Sequence, residues 1–329
     1  MKVCIAGVGA IGGLIGTRLA QAGQAQVSAL ARGATLAALR ERGWRLDTAE
    51  GLVQAKAVAA SDATQLGVQD LVIVAVKAPA LTALAPALKP LIGPHTIVMP
   101  AMNGVPWWFC RGVAGFEDLA LDSVDPGGAI AAAIPFEHVL GCVVHAAAST
   151  TAPGLVQHRV GRSLIVGEPT GAASPRLEKV AALLSQAGFE LTRSDDVRSA
   201  IWYKLWGNLT MNPVSAITGA TIDRVLADPL VRDFCSAAMA EAALVGERIG
   251  CPIAQSPEDR HAVTHRLGAF KTSMLQDVEA GRAIELDAIV AVVREIGQRV
   301  GVATPNISAL LGLTRLMART RHLYPEASS

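Results

Sequence analysis

The run KVCIAGVGAIGGLIGTRLAQAG, Lys2 to Gly23, places three glycines at G-x-G-x-x-G spacing between a short apolar stretch and a longer helical one. Residues 2–6 read as a buried strand, and the apolar periodicity that follows reads as a helix closing at Gly23. In that context Gly7 permits a tight turn, Gly9 lets the main chain approach a pyrophosphate, and Gly12 lets the helix pack close to the strand. With Val8, Ala10 and Ile11 between them, they set free N–H groups at a helix N-terminus, where the dipole favours anions. The motif predicts a dinucleotide site in a Rossmann-type parallel sheet.

Working along the chain, the next strand, QVSALAR, ends at Ala31-Arg32. A protein preferring the unphosphorylated dinucleotide usually places Asp or Glu here for the ribose hydroxyls. A guanidinium instead suits a 2′-phosphate, so the expected cofactor is NADP. Two further apolar runs, QDLVIVAVKAPA and HTIVMPAMNG, read as buried parallel strands ending at Lys77 and at Asn103-Gly104. Ligands on such sheets lie beyond the carboxyl ends of the strands, which directs Lys77 and Asn103 toward the same crevice as the glycine loop. The runs VLGCVVHAAA and SLIVGE are expected to complete this sheet. A helix over 175–187 follows, opened by Ser174-Pro175 and closed by Gly188.

The 329 residues are 51% hydrophobic and 17% charged, enough for two packed domains. A net charge of +1 with scattered basic residues leaves no electrostatic footprint for nucleic acid or an anionic membrane. No apolar run reaches the roughly 18 residues of a membrane span, and the N-terminal glycines suit a secretion signal poorly. The five cysteines have no metal or redox spacing and are expected to be reduced thiols in a cytoplasmic protein. No metal spacing occurs among the seven histidines, and His145 and His158 read as structural.

From about Ser194 the period becomes helical and stays so. The expected organisation is α/β, a Rossmann-type domain over 1–193 followed by an all-helical domain over 194–329. Asp228-Pro229 opens a helix, Ser256-Pro-Glu-Asp259 reads as a capping box, and ELDAIVAVVREIGQRVG and PNISALLGLTRLMART supply two more. In IWYKLWGNLTMNP, Lys204, Asn208 and Asn212 recur every four residues in an apolar helix. That spacing makes a polar stripe about 12 Å long, the size of a small substrate. It reads either as a pocket lining or as satisfied core amides with a snorkelling lysine. Pro213 is expected to end or kink the helix at Asn212, turning that residue to a cleft. Two later polar islands contain Ser273 (KTSMLQD) and Glu285 (AIELDAI).

Together, GVGAIG, Arg32, VK at Lys77, Asn103-Gly104, HAA at His145–Ala147, the Lys204–Pro213 motif, SMLQD and IELD resemble the ketopantoate reductase (2-dehydropantoate 2-reductase) family, in family order along most of the chain. The resemblance implies NADPH-dependent reduction of a 2-keto acid to a 2-hydroxy acid, and a C-terminal domain like that of 6-phosphogluconate dehydrogenase. It implies Lys204 as general acid and Asn208, Asn212 and the Ser273–Gln276 segment as substrate contacts. Asn103 and Lys77 would lie between nicotinamide ribose and substrate, Ala147 beside the cofactor, and Glu285 near both the cofactor and the lysine. An ammonium near a carbonyl reduced by hydride stabilises the charge growing on oxygen and then donates a proton, and a carboxylate such as Glu285 would keep that ammonium charged. Departures are Met102 before Asn-Gly, Val290-Ala291 where the family often has Asn-Gly, and the bulky Trp107-Trp108 pair, which would make the pocket more apolar if it faced the cleft. Alternatives are another Rossmann dehydrogenase acting on a 3-hydroxy acid and an NADP-sensing protein without turnover. A homodimer is compatible with the apolar faces of the C-terminal helices.

Overall fold

The computed structural model describes residues 1–113, 116 and 120–326. By its internal packing the chain forms two compact units, one of residues 1–102 with 128–200 and one of residues 103–127 with 201–329.

The first unit contains β1 (Lys2–Ala6), α1 (Ala10–Ala22), β2 (Gln26–Leu30), α2 (Gly33–Arg42), β3 (Trp44–Thr48), β4 (Gly51–Ala55), β5 (Val58–Ala60), β6 (Leu71–Val74), α3 (Ala78–Leu84), β7 (Ile97–Pro100) and α4 (Ala129–Ala133). These are followed by β8 (Gly141–Ala152), β9 (Leu155–Gly167), α5 (Pro175–Gln186) and β10 (Glu190–Arg193). An all-parallel sheet runs in the order β5-β2-β1-β6-β7. All four residues of β6 and of β7 are buried, which is why those runs are continuously apolar. The strand order reverses beside β1, so the glycine loop leaves the sheet at its switch point.

Contrary to the sequence expectation, VLGCVVHAAA and SLIVGE do not extend the parallel sheet. They become β8 and β9, a long antiparallel hairpin in a second sheet ordered β10-β9-β3-β4. β8 is buried over Gly141–Val144 and wetter beyond, and Ser163–Val166 of β9 alternate between half-buried and buried, as a strand with one wetter face does. This sheet covers the other side of α1: a Cβ on Gly16 would stand 2.4 Å from the Trp44 ring of β3, and one on Gly13 2.5 Å from Val156 of β9. The small residues of α1 thus serve two sheets at once, and one hydrophobic core includes residues of both. At the end of β9, buried Glu168 receives Arg176 through two bonds of 2.7 and 2.6 Å and also takes the Ser174 hydroxyl. The same guanidinium donates to the carbonyls of Glu137 and Val139, pinning α5 to the sheet. Ser174 caps α5 at the Leu177 N–H, as its sequence position predicts.

The second unit is helical: α6 (Val197–Thr218, entering from the first unit), α7 (Ile222–Ala227), α8 (Pro229–Arg248), α9 (Pro257–His265), α10 (Ser273–Glu279), α11 (Val292–Arg299) and α12 (Pro305–Thr320). Asp228 caps α8 and the Ser256–Asp259 capping box opens α9. Residues 285–301 are less regular than their pattern predicts, because Asp287–Ala291 form a π-helical turn ahead of α11. Pro213 does not end α6. The helix continues to Thr218 with residues 209–216 all buried, so packing outweighs the one hydrogen bond and the clash that proline costs. Segment 103–127, which a cut at 193/194 assigns to the Rossmann part, packs with the helices. Val105 N–H donates to Ala288 O at 2.8 Å, and Glu295 accepts from the N–H groups of Asp122 and Ser123, each at 2.9 Å.

All five cysteines are free and buried, and burial pushes the Cys4 and Cys235 thiols up to about 11. Among the described residues no helix is long and apolar enough to cross a membrane, and no cluster could hold a metal ion.

Candidate active site

In the first unit the glycine loop has the geometry its spacing predicts. Gly7 turns at φ 94°, in the region glycine favours, and a Cβ on Gly12 would fall 2.0 Å from the Gly7 carbonyl oxygen. A Cβ on Gly9 would meet nothing within 4 Å, so open space adjoins the N-terminus of α1. Gly9 is the N-cap, no side chain satisfies the first turn, and its carbonyl accepts the Gly13 N–H at 2.8 Å. Main-chain donors of Ala10, Ile11 and Gly12 are therefore placed as a phosphate requires, and the chain fits a dinucleotide here.

Arg32 follows β2 as the exposed N-cap of α2. It lines a pocket of about 250 Å³ with Ser61, Asp62, Pro86 and Pro90. The Asp62 carboxylate in that pocket accepts its own turn's Thr64 N–H at 2.9 Å, which holds its pKa below the ordinary carboxylate range. Lys77 lies three residues beyond β6 and is the half-buried N-cap of α3. Ala147 sits on β8 beside a bulge, where Gly161 adopts φ 76° against the His145 carbonyl. His158 Nε2 donates to Gly161 O of its own hairpin at 2.7 Å. That contact is structural.

The second unit carries the other predicted residues. Lys204 Nζ donates to Asn103 Oδ1 at 2.8 Å, joining α6 to the loop after β7. Asn208 follows one turn along, half-buried, and Asn212, at 4% exposure, lies within the packed part of α6 rather than at a helix end. Ser273 is the exposed first residue of α10. Its neighbour Thr272 caps α10 at the Leu275 N–H, and its hydroxyl meets that of Ser215 on α6. Gln276, also exposed, donates to Lys271 O at 2.9 Å. Glu285 is half-buried immediately before the helical turn. Gly104 lies so close to that turn that a Cβ would stand 2.4 Å from Ala288 O.

The structure thus joins Lys204 to Asn103 directly, while Thr272–Ser215 ties the start of α10 to α6 and Val105–Ala288 ties the loop after β7 to the turn that follows Glu285. Those supporting contacts were not readable in the chain, because Thr272, Ser215 and Ala288 have no distinctive spacing. Trp107 and Trp108, at 6% and 2% exposure, are packed, and Phe109 beside them stacks on Trp202 at 5.9 Å between ring centroids. They are core side chains. Val290, at one of the departures from the family pattern, is buried too.

A dinucleotide-binding parallel sheet followed by a helical unit carrying a positioned lysine defines a Rossmann-type oxidoreductase. Residues 3–171 match the family model described as ketopantoate reductase PanE/ApbA, and residues 196–318 match its C-terminal model. A 2-dehydropantoate 2-reductase of Mesorhizobium japonicum is 43% identical, over 98% of this chain and 100% of its own. A solved structure of a candidate ketopantoate reductase from Ralstonia solanacearum MolK2 is 57% identical with a TM-score of 0.95, covering 98% of this chain and 99% of that one. A 2-dehydropantoate 2-reductase structure from Geobacter metallireducens superposes at TM-score 0.84 with 26% identity, covering 96% of this chain and 100% of that one. The chain belongs to the ketopantoate reductase family, nicotinamide-dependent oxidoreductases that act on a CH–OH group.

Proposed function

We propose that the protein reduces 2-dehydropantoate to pantoate with NADPH, Lys204 acting as proton donor. The observation that carries this reading is the 2.8 Å bond from Lys204 Nζ to Asn103 Oδ1, which holds an ammonium in place on a largely apolar helix. When bound, the reduced nicotinamide supplies the hydride to the keto carbon. Lys204 stabilises the negative charge that grows on the keto oxygen and passes it a proton, so that oxygen becomes the product hydroxyl. Asn103 orients the ammonium, and Asn208, Asn212 and the Ser273–Gln276 segment hold the rest of the substrate. Glu285 favours the charged form of the lysine between turnovers. In the cofactor half, Gly7 to Gly12 take the pyrophosphate, Arg32 takes the 2′-phosphate, and Lys77 and Ala147 flank the nicotinamide end. The free buried cysteines support a cytoplasmic setting, and the exposed Leu244, Leu313 and Leu316 of α8 and α12 support a homodimer.

The test is NADPH oxidation with a panel of 2-keto acids. Lys204→Ala should lower kcat by roughly 10²–10⁴, the usual worth of a positioned acid. Unchanged turnover in the variant would remove Lys204 from the role, and no turnover by the unaltered protein with any 2-keto acid would remove the substrate class.

A further inference from the structure

Beyond α12 the chain makes a strained turn. His322 has φ 57°, the only positive value outside glycine among the described residues. A left-handed conformation is strained for a residue that carries a Cβ. It persists because the turn closes the helix: His322 N–H donates to Arg319 O at 2.9 Å and Leu323 N–H to Ala318 O at 2.8 Å. The same turn sends the next two residues back to the segment that carries Glu285. Leu323 O accepts the Ile284 N–H at 3.3 Å, one residue before Glu285. Tyr324 Oη donates to Asp287 Oδ1 at 2.6 Å, two residues after it. Arg319 lies over the Tyr324 ring at 5.7 Å and donates to Pro325 O, fixing the tyrosine in turn.

Asp287 opens the π-helical turn, and Ala288 in that turn accepts the Val105 N–H. Asn103, two residues before Val105, accepts from Lys204. A continuous path of hydrogen bonds and short main-chain links therefore runs from Tyr324 to the lysine, and it straddles Glu285. Single π-turns inside helices recur at functional sites, and local strain persists where surrounding structure over-determines it.

We propose that Tyr324 is a positioning residue for the reduction: through Asp287 it sets the turn that places Glu285 and the Asn103 loop, and hence the ammonium of Lys204. This rests on the proton-donor reading above.

The test is Tyr324→Phe in the full chain, which removes one oxygen and keeps the ring beneath Arg319. Its kcat should fall about ten-fold, as a small misplacement of the reacting groups would cause, with KM for NADPH within about two-fold. Hydrogen exchange should quicken in residues 283–291 and 103–109 and remain unchanged in the first unit. Asp287→Asn, whose amide oxygen still accepts the tyrosine hydroxyl, should keep kcat within about two-fold. Adding Tyr324→Phe to Asp287→Ala should lower kcat no further. Wild-type kcat in Tyr324→Phe would overturn the proposal, as would a fall in kcat accompanied by faster exchange throughout the chain. If the unaltered protein reduces no 2-keto acid, the functional reading fails separately, and unchanged exchange at 283–291 and 103–109 in Tyr324→Phe would still overturn this one.

Discussion

Gly7 to Gly12 lie in one unbroken stretch, a turn and the start of α1, whereas Lys204 and Asn103, joined at 2.8 Å, are 101 residues apart in sequence. The loop's geometry is a property of its own backbone: a positive φ at Gly7 and a Cβ-free approach at Gly12 follow from which residues stand where. The lysine's geometry belongs to no single segment. It depends on α6 remaining helical past Pro213, on the loop after β7 docking onto the π-turn, and on α10 being tied to α6. Phosphate binding can be written locally because main-chain N–H groups do the work. Proton donation needs one side chain held against others, and those supports come from wherever the fold delivers them.

If that contrast is right, damage to the two regions should separate cleanly. Lys204→Ala should have the largest effect, the loss in kcat given above, with the NADPH dissociation constant, followed by fluorescence titration, unchanged. Gly12→Val should do the reverse. Its side chain would collide with the Gly7 main chain at a Cβ distance of 2.0 Å, and NADPH affinity should fall on the order of a hundred-fold, or about 2.7 kcal/mol. A matching loss of affinity in Lys204→Ala would break the separation. Within the cofactor half, Arg32→Ala should weaken NADPH by roughly 10–100-fold, the value of a charge-assisted contact, and leave NADH nearly unaffected. Equal weakening of the two would remove the guanidinium from 2′-phosphate recognition.

The smallest effect concerns stability rather than chemistry. Burial alone would raise the pKa of Glu168, but hydrogen bonds from Arg176 and Ser174 more than reverse this and hold it below the ordinary carboxylate range. A depressed folded value means stability that is complete above the unfolded value and lost as pH falls through the folded one. Melting temperature should therefore drop below about pH 4.3, the free glutamate value, and the drop should be shallower in Glu168→Gln. Identical acid profiles would show that the clamp between β9 and α5 contributes nothing measurable.

Much of the fold was legible in the chain. The glycine loop, the caps at Ser174, Asp228 and Ser256, and the change to helical period at about residue 194 all depend on neighbours within four residues. The stripe of Lys204, Asn208 and Asn212 was legible for the same reason, since helical spacing is local. The second sheet was not. VLGCVVHAAA and SLIVGE are apolar enough for either sheet, and strand partners are chosen by residues far away in sequence, here Trp44–Thr48 of β3 and Glu190–Arg193 of β10. Pro213 misled because a local rule about proline was outweighed by burial on every side of α6 over residues 209–216. The Trp107-Trp108 pair was open to two readings, because bulky aromatic residues look alike in a pocket wall and in a core.

The amino-acid order by itself determined the glycine turn before α1, the cation that follows β2, the two-part architecture and the residue types of the polar stripe. All of these rest on φ/ψ preference, on periodicity, or on the chemistry of a single side chain. Assignment of segment 103–127 to the helical unit, the bond from Lys204 to Asn103, the π-turn beside Glu285 and the return of Tyr324 to Asp287 came from the fold. Each is a contact between distant segments, stable only once the rest of the chain has buried enough surface to offset the entropy of bringing them together.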